Sequence, residues 1–167
     1  MHAAAHDYAA QFATDKKISV IDVGSRDING TVRALFPNAK YTGVDIVDGN
    51  GVDAVADAAV WAPRKPVDLV VCLEMLEHCA VWRDVICNIH NLMLKPSGRI
   101  VVTAANLSRE PHSGVDGGQV RPDEFYENID PVELGNVLID AGFGDVVVEE
   151  LGTDVRATGV KYADVLD

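Results

Sequence analysis

Short apolar runs alternate along the chain with segments in which apolar side chains recur at helical spacing. The apolar runs predict strands at 18–23, 41–45, 52–56, 67–72, 99–104, 145–151 and 157–165. Helical spacing predicts helices over 3–13, 31–36, 81–94 and 131–141. Asp130 and Pro131 are typical of an N-cap followed by a first-turn proline, and Gly142 marks the end of that last helix. Strands and helices therefore alternate over most of the chain.

The composition of the strands indicates how they are arranged. Apolar strands that alternate with helices are typical of a parallel sheet covered on both faces. The last two strands are separated only by a few residues around 152–154, which is too short for a parallel crossover, so they should form an antiparallel hairpin. The chain is therefore predicted to be α/β, with a doubly wound, mostly parallel sheet of about seven strands and an antiparallel C-terminal hairpin, in one domain over 1–167.

Two segments lie outside this alternation. Residues 106–130 are polar and rich in glycine and proline, and long connections of this kind usually act as lids or binding loops. Residues 1–17 form an N-terminal helix and cap ahead of the first strand. Recognition of a substrate is expected to fall to these two segments, because the rest of the chain is used by the sheet and its helices.

The charge of the chain restricts its partners. It has 26 acidic and 14 basic residues and a formal net charge of −12, and the basic residues are scattered, which disfavours nucleic acid. No apolar stretch approaches the roughly 18 residues of a membrane span, and the N-terminus lacks the pattern of a signal peptide. The 3 cysteines lack metal-ligand spacing and read as free thiols. We therefore expect a cytoplasmic protein without membrane contact.

Candidate chemistry lies where the predicted strands end, since doubly wound sheets bind ligands at that edge. Gly24 follows the first strand, where a glycine lets backbone amides approach a ligand. Asp45 ends the second strand and could accept hydrogen bonds from ribose hydroxyls. The pair Asp57-Ala58 ends the third strand, where a carboxylate could accept from an adenine amino group. Leu73-Glu74 ends the fourth and would flank the other face of an adenine or methionyl group.

Further motifs add a family resemblance. Asp22-x-Gly24, Leu76-Glu77-His78, the 94–98 segment LKPSG and Ala141-Gly142-Phe143 occur in the order found in class I methyltransferases that use S-adenosylmethionine (SAM). The chain resembles that family over nearly its whole length, which implies a Rossmann-like fold and SAM as cofactor. The residues expected to bind the cofactor are Asp22, Gly24, Ser25, Arg26, Gly30, Asp45, Ile46, Asp57, Ala58, Leu73 and Glu74.

The sequence departs from the family pattern in two ways. Arg26 and Ile28 occupy the places of the second and third glycines of the first loop, with Gly30 as a later substitute. Arg26 could therefore contact the methionyl carboxylate or a substrate. The intervals 45–57 and 58–66 are too short for the helices that the family usually has there, so loops are expected in their place.

The segment Glu74-x-x-Glu77-His78 has two interpretations. If it begins a helix, its three polar side chains share one face and could bind a divalent metal. The interpretation favoured here is structural, with Glu77 and His78 capping and orienting the helix and no metal required. His112, in the long loop, is the first candidate for a general base and an alternative fourth ligand.

The predicted function is methyl transfer from SAM to an oxygen, nitrogen or carbon of a small molecule or of an exposed group on a larger one. Two alternatives remain at this stage. One is a non-catalytic SAM-binding or regulatory domain, suggested by the altered glycine loop. The other, an NAD(P)-dependent oxidoreductase, is disfavoured because 24–30 lacks G-x-G-x-x-G spacing and the terminal hairpin does not suit that fold. The sequence gives no signal for the oligomeric state.

Overall fold

A single sheet organises the chain in a computed structural model that describes residues 3–163. The sheet has seven strands in the order β3-β2-β1-β4-β5-β7-β6. The strands are β1 Ser19–Val23, β2 Lys40–Asp45, β3 Ala54–Val55, β4 Val67–Leu73, β5 Leu94–Ala105, β6 Phe143–Leu151 and β7 Asp154–Lys161. Strands β1 to β5 run parallel, and β7 lies antiparallel between β5 and β6. The predicted fold class is confirmed.

The terminal hairpin is tighter than the sequence pattern indicates. Its turn is Gly152-Thr153, and β7 begins at Asp154, opposite Leu151 on β6. The sequence places the start of this strand at 157, because Asp154 and Arg156 resemble turn or surface residues. Both are buried, and their side chains lie 3.5 Å apart as an ion pair, which allows them to remain in the strand. The last positions of the predicted strand, 164–165, lie outside the described residues.

Helices cover both faces of the sheet, although they are shorter than predicted. They are α1 Ala3–Ala10, α2 Trp82–Asn88 and α3 Pro131–Asp140. After α1 the chain continues to residue 13 in tight turns, and α2 is followed by a short π-helical segment at Ile89–Met93. The carboxylate of Asp130 accepts hydrogen bonds from the backbone N–H groups of Val132 and Glu133 (2.8 and 3.0 Å), as expected of an N-cap. No helix within residues 3–163 combines the length and apolarity needed to cross a membrane.

The helix predicted at 31–36 is wrong. The segment forms only a 3-10 turn at Arg33–Leu35, because Gly30 and Pro37 leave too few residues to repay the cost of nucleating a helix. Val32 and Phe36 bury their side chains against the sheet instead. The intervals after β2 and β3 contain no helix, as expected, so the strands at that edge are followed directly by turns.

The apolar strands are explained by two cores, one on each face of the sheet. Successive residues of a strand point to opposite faces. Ile21 and Val70 therefore pack with Trp82 in the core that includes side chains of α2 and α3, whereas Val20 and Val71 belong to the core that contains Tyr8 of α1. Trp82 is completely buried in the first of these cores. Because both faces are covered, the carboxyl edge of the sheet is where a ligand can approach.

Candidate functional site

A cavity of about 600 Å³ lies beside the carboxyl ends of β1, β2, β3 and β4. This volume is in the usual range for a small-molecule or cofactor site. All the residues that the sequence assigned to cofactor binding line it: Asp22, Gly24, Ser25, Arg26, Gly30, Asp45, Ile46, Asp57, Ala58, Leu73 and Glu74. Asp45 and Asp57 therefore border one cleft with Gly24, as the predicted site requires.

The turn after β1 forms one wall of this cavity. Gly24 has φ +78°, and its N–H donates to the carbonyl of Val44 at 2.9 Å. A Cβ at Gly24 would lie only 2.6 Å from Cγ of Met75, so a side chain there would meet both backbone strain and a steric clash. The hydroxyl oxygen of Ser25 is buried and has no hydrogen-bond partner among residues 3–163. A polar ligand in the cavity could satisfy this hydroxyl.

Asp45 joins the turns after β1 and β2. One carboxylate oxygen accepts a hydrogen bond from the N–H of Arg26 at 3.1 Å, and the other accepts from the N–H of Val47 at 2.9 Å. These bonds fix the carboxylate at the edge of the cavity and still leave lone pairs on both oxygens. The geometry agrees with an acceptor for two neighbouring hydroxyl groups.

Asp57 and Ala58 occupy the turn after β3. The carboxylate of Asp57 accepts from the N–H of Ala59 at 2.9 Å, which closes a local turn. The side-chain amide of Asn88 on α2 donates to the carbonyls of Ala58 and Trp61 at 2.9 and 2.7 Å. The segment that lacks the usual helix is therefore held in place by α2, a contact that sequence reasoning missed because the two partners lie far apart in the chain.

Asp22 is a buried acid on the wall of the cavity. The hydroxyl of Tyr41 donates to its carboxylate at 2.7 Å, and the guanidinium of Arg33 lies over the Tyr41 ring. Burial raises the pKa of Asp22 to about 6, although the bond from Tyr41 acts in the opposite direction. The same burial and the neighbouring carboxylate raise the pKa of Tyr41, which therefore stays a hydrogen-bond donor.

Glu74 does not take the helical position that the sequence suggested. It has φ +56° and precedes a short 3-10 turn at Leu76–His78, so Glu74, Glu77 and His78 do not share a helix face. Its carboxylate accepts from the hydroxyl of Thr103 at 2.8 Å and pairs with Arg109. The helix-face premise of the metal alternative is therefore wrong, and the side chain is held in a polar network instead.

Arg109 is the central cation of that network. Its guanidinium contacts the carboxylates of both Glu74 and Asp154, so it joins the long loop to the ends of β4 and β7. Only 14% of the Arg109 side chain is exposed. Sequence reasoning missed this residue, because nothing in the local pattern distinguishes it from the other basic residues of a polar loop.

Glu77, His78 and His112 lie together beside the cavity. Glu77 is fully buried and one carboxylate oxygen accepts from the N–H of Ala105 at 3.0 Å, while burial raises its pKa. Burial and the nearby His112 lower the pKa of His78 to about 4, which keeps its imidazole neutral. His78 borders the cavity, and the ring of His112 stands edge-on to it with centroids 5.0 Å apart. His112, the predicted base, is thus one ring removed from the cavity.

The long loop completes the opposite wall. Gly114, Val115 and the 123–125 segment of the 106–130 loop line the cavity, as expected for a binding loop. The side-chain amide of Asn128 donates to the carbonyls of Asn106 and Arg109 at 2.6 and 2.9 Å, and so ties the two ends of the loop together. In contrast, no residue of the described N-terminal segment 3–17 borders the cavity, because α1 packs on a face of the sheet.

Comparison with protein families gives one match over most of the chain. A family model described as "Methyltransferase domain" matches residues 1–148. A curated protein, the tetraacyldisaccharide 4'-kinase of Tolumonas auensis, is 33% identical over 78 residues. That alignment spans 42% of this chain and only 24% of the kinase.

Solved structures show the same fold. A Burkholderia thailandensis 1,6-didemethyltoxoflavin-N1-methyltransferase with S-adenosylhomocysteine has a TM-score of 0.71 at 18% identity, covering 96% of this chain and 79% of its own. Phosphoethanolamine N-methyltransferase 2 of Haemonchus contortus, with SAM bound, has a TM-score of 0.71 at 14% identity, covering 96% and 52%. The putative methyltransferase in a Haloferax volcanii Trm112 complex has a TM-score of 0.68 at 13% identity, covering 98% and 92%.

Proposed function

The chain belongs to the methyltransferase-domain family and has the Rossmann-like fold of the SAM-dependent class I enzymes. We propose that it methylates a small molecule, which binds beside SAM in the 600 Å³ cavity. The observation that carries this proposal is the convergence of the turns after β1, β2 and β3 on one cleft. Within that cleft, Asp45 and Asp57 present carboxylates and Gly24 presents backbone without room for a side chain.

Each cofactor contact has a candidate among the lining residues. The carboxylate of Asp45 would accept hydrogen bonds from the ribose hydroxyls, and Asp57 with Ala58 would contact the adenine. Ile46 and Leu73 supply apolar surface for the adenine ring. The methionyl end would lie along the turn after β1, where Arg26 supplies the positive charge that its carboxylate requires. The buried hydroxyl of Ser25 would gain a partner there.

Methyl transfer from SAM requires little chemical participation by protein side chains. SAM supplies a methyl group made electrophilic by its sulfonium, so the chain contributes alignment of the acceptor and exclusion of water. The 106–130 loop would hold the acceptor against the cofactor. An acceptor that must lose a proton needs a base, and His112 would have to act through the neutral imidazole of His78, which borders the cavity.

Several features support a small acceptor. Two of the solved relatives are named for methylation of small molecules, 1,6-didemethyltoxoflavin and phosphoethanolamine. The net charge of −12 works against a polyanion such as nucleic acid. We also propose a reducing compartment such as the cytoplasm, since 3 cysteines without metal-ligand spacing are typical of one.

A non-catalytic SAM-binding domain is the second candidate. It is favoured by one feature, the replacement of two loop glycines by Arg26 and Ile28. Binding of SAM without methyl transfer to any pool of small molecules from a cell extract would support this candidate instead.

The test is the affinity for SAM of the Asp45→Ala variant, measured by calorimetry. Loss of the carboxylate removes two loop-fixing bonds and the ribose acceptor, so the dissociation constant should rise about 30- to 100-fold, or about 2–2.7 kcal/mol. Asp48→Ala is the matched control, because it removes an exposed acid of the next turn that does not line the cavity. Equal affinities of the two variants would show that SAM does not bind as proposed.

A further inference from the structure

The loop side of the cavity combines negative charge with apolar surface. Asp123 and Glu124 border the cavity there, together with Val115 and Phe125. We propose that the methyl acceptor is an amine carried on an apolar body about as large as an aromatic ring, and that Asp123 and Glu124 recognise its nitrogen. This inference rests on the proposed function, because it names the substrate class of the same cavity.

The charge of the lining favours a cation over an anion. Within the part of the chain that the structure describes, six acidic residues and one basic residue, Arg26, line the cavity. Arg26 is assigned to the methionyl carboxylate of SAM, and Glu74 is paired with Arg109. His78 adds no positive charge at neutral pH, because burial lowers its pKa to about 4. The lining therefore carries an excess of negative charge, which attracts an ammonium group and repels a carboxylate or a phosphate.

Glu124 is held in place as a carboxylate. The N–H of Arg121 donates to one of its oxygens at 2.9 Å, and the hydroxyl of Ser113 donates to the other at 2.7 Å. These two bonds lower the pKa of Glu124, so it stays ionised at neutral pH. Ser113 is buried, and its hydroxyl also accepts from the N–H of Val115 at 3.1 Å. The oxygens of Glu124 keep lone pairs for further hydrogen bonds, as an ammonium group would donate.

Apolar side chains in the lining indicate the rest of the acceptor. Phe125, Val115 and Ile28 line the cavity, yet their side chains remain 39%, 40% and 46% exposed. Exposed apolar side chains that border a cavity are typical of surface that a ligand covers. A small hydrophilic amine would leave these side chains in water. The acceptor should therefore present an apolar face in addition to its nitrogen.

Methyl transfer to nitrogen gives the two carboxylates a further role. The nitrogen lone pair forms a bond to the methyl carbon while the C–S bond breaks, and the electron pair of that bond passes to sulfur, which leaves as the neutral thioether. Positive charge therefore moves from sulfur to nitrogen. Carboxylates beside the nitrogen stabilise this charge more in the transition state than in the neutral amine. An amine that binds as an ammonium first loses one proton to water, which restores its lone pair.

The test compares three probes that share a phenyl group: phenethylamine, 2-phenylethanol and phenylacetate. Calorimetry measures their dissociation constants in the presence of saturating S-adenosylhomocysteine. Phenethylamine should bind roughly 10-fold more tightly than either other probe, because it alone is a cation. In the double variant Asp123→Asn, Glu124→Gln, its affinity should fall roughly 5- to 10-fold, whereas that of the neutral 2-phenylethanol should stay within about twofold. Glu110→Gln is the control, because it removes an exposed acid of the same loop that does not line the cavity.

Two outcomes would overturn this inference: no preference of the unaltered chain for phenethylamine over the alcohol and the carboxylate, or an unchanged affinity for phenethylamine in the double variant. The affinity for SAM is measured on the same samples. If SAM binds and the amine is not preferred, only the acceptor class is wrong. If SAM does not bind, the proposed function fails, and the assignment of the acceptor fails with it.

Discussion

The two walls of the cavity are held in different ways. The turns after β1, β2 and β3, which we propose bind the cofactor, form the cofactor wall, where backbone amides donate to the carboxylates of Asp45 and Asp57 within a few residues of strand ends. The 106–130 loop, which we propose holds the acceptor, forms the acceptor wall. Side chains that reach across the fold hold it in place, above all Arg109 and Asn128. The residues of the first wall come directly after strand ends, so they can be identified from their neighbours in the sequence. The second depends on buried charges and amides, and it should be the easier wall to disrupt without disturbing SAM binding.

The strongest test of this difference is Arg109→Met. It leaves the buried carboxylates of Glu74 and Asp154 without their shared cation, which should lower the free energy of unfolding by about 3–5 kcal/mol. Urea unfolding measures the loss. Arg121→Met is the control in the same loop, because Arg121 pairs with Asp116 while 48% exposed and should cost less than about 1 kcal/mol. Equal losses in the two variants would contradict a buried anchor.

The cofactor wall has its own buried charge, which Asp22→Asn tests. The pKa of Asp22 is about 6 in the folded chain, above its ordinary value of 3.8. The protonated form is therefore favoured by folding, and its contribution is complete below pH 4 and lost as the pH rises through 6. Asparagine keeps an acceptor for the Tyr41 hydroxyl and has no such titration.

The free energy of unfolding of the unaltered chain, relative to Asp22→Asn, should thus fall by about 2–3 kcal/mol between pH 3.5 and 7. Urea titrations of both proteins at several pH values measure this difference in the free energy of unfolding. Groups that titrate in both proteins contribute equally and cancel in the difference. Asp48→Asn, an exposed acid, should run parallel to the unaltered chain. A difference for Asp22→Asn that does not change with pH would show that its pKa is not raised.

The smallest effect is expected from Asn128→Ala. The substitution removes the donor that joins the carbonyls of Asn106 and Arg109, at a cost of about 1–2 kcal/mol. Limited proteolysis within 106–130 should become faster, whereas the affinity for SAM should stay within twofold. Asn91→Ala, which removes an exposed amide from the segment that follows α2, controls for loss of an amide. A fall in SAM affinity would mean that the two walls are not held independently.

The sequence determined the sheet and the cofactor wall because both depend on neighbouring residues. An apolar strand followed by glycine or aspartate identifies its own end, and parallel strands bring those ends to one edge. Gly24, Asp45 and Asp57 could therefore be placed without knowledge of any distant contact. The same local reasoning predicted the hairpin, since a connection of only a few residues is too short for a parallel crossover.

Only the tertiary structure decided which side chains meet across the loop. The sequence places Glu74 at the end of the fourth strand, but its partners Thr103 and Arg109 come from β5 and from the loop beyond it. The neighbourhood of Glu77 and His112 depends in the same way on the path of the 106–130 loop. That path is set by ion pairs and by side-chain amide hydrogen bonds between residues that are distant in the chain. The pattern of apolar and polar residues along the sequence does not show which distant residues form such pairs.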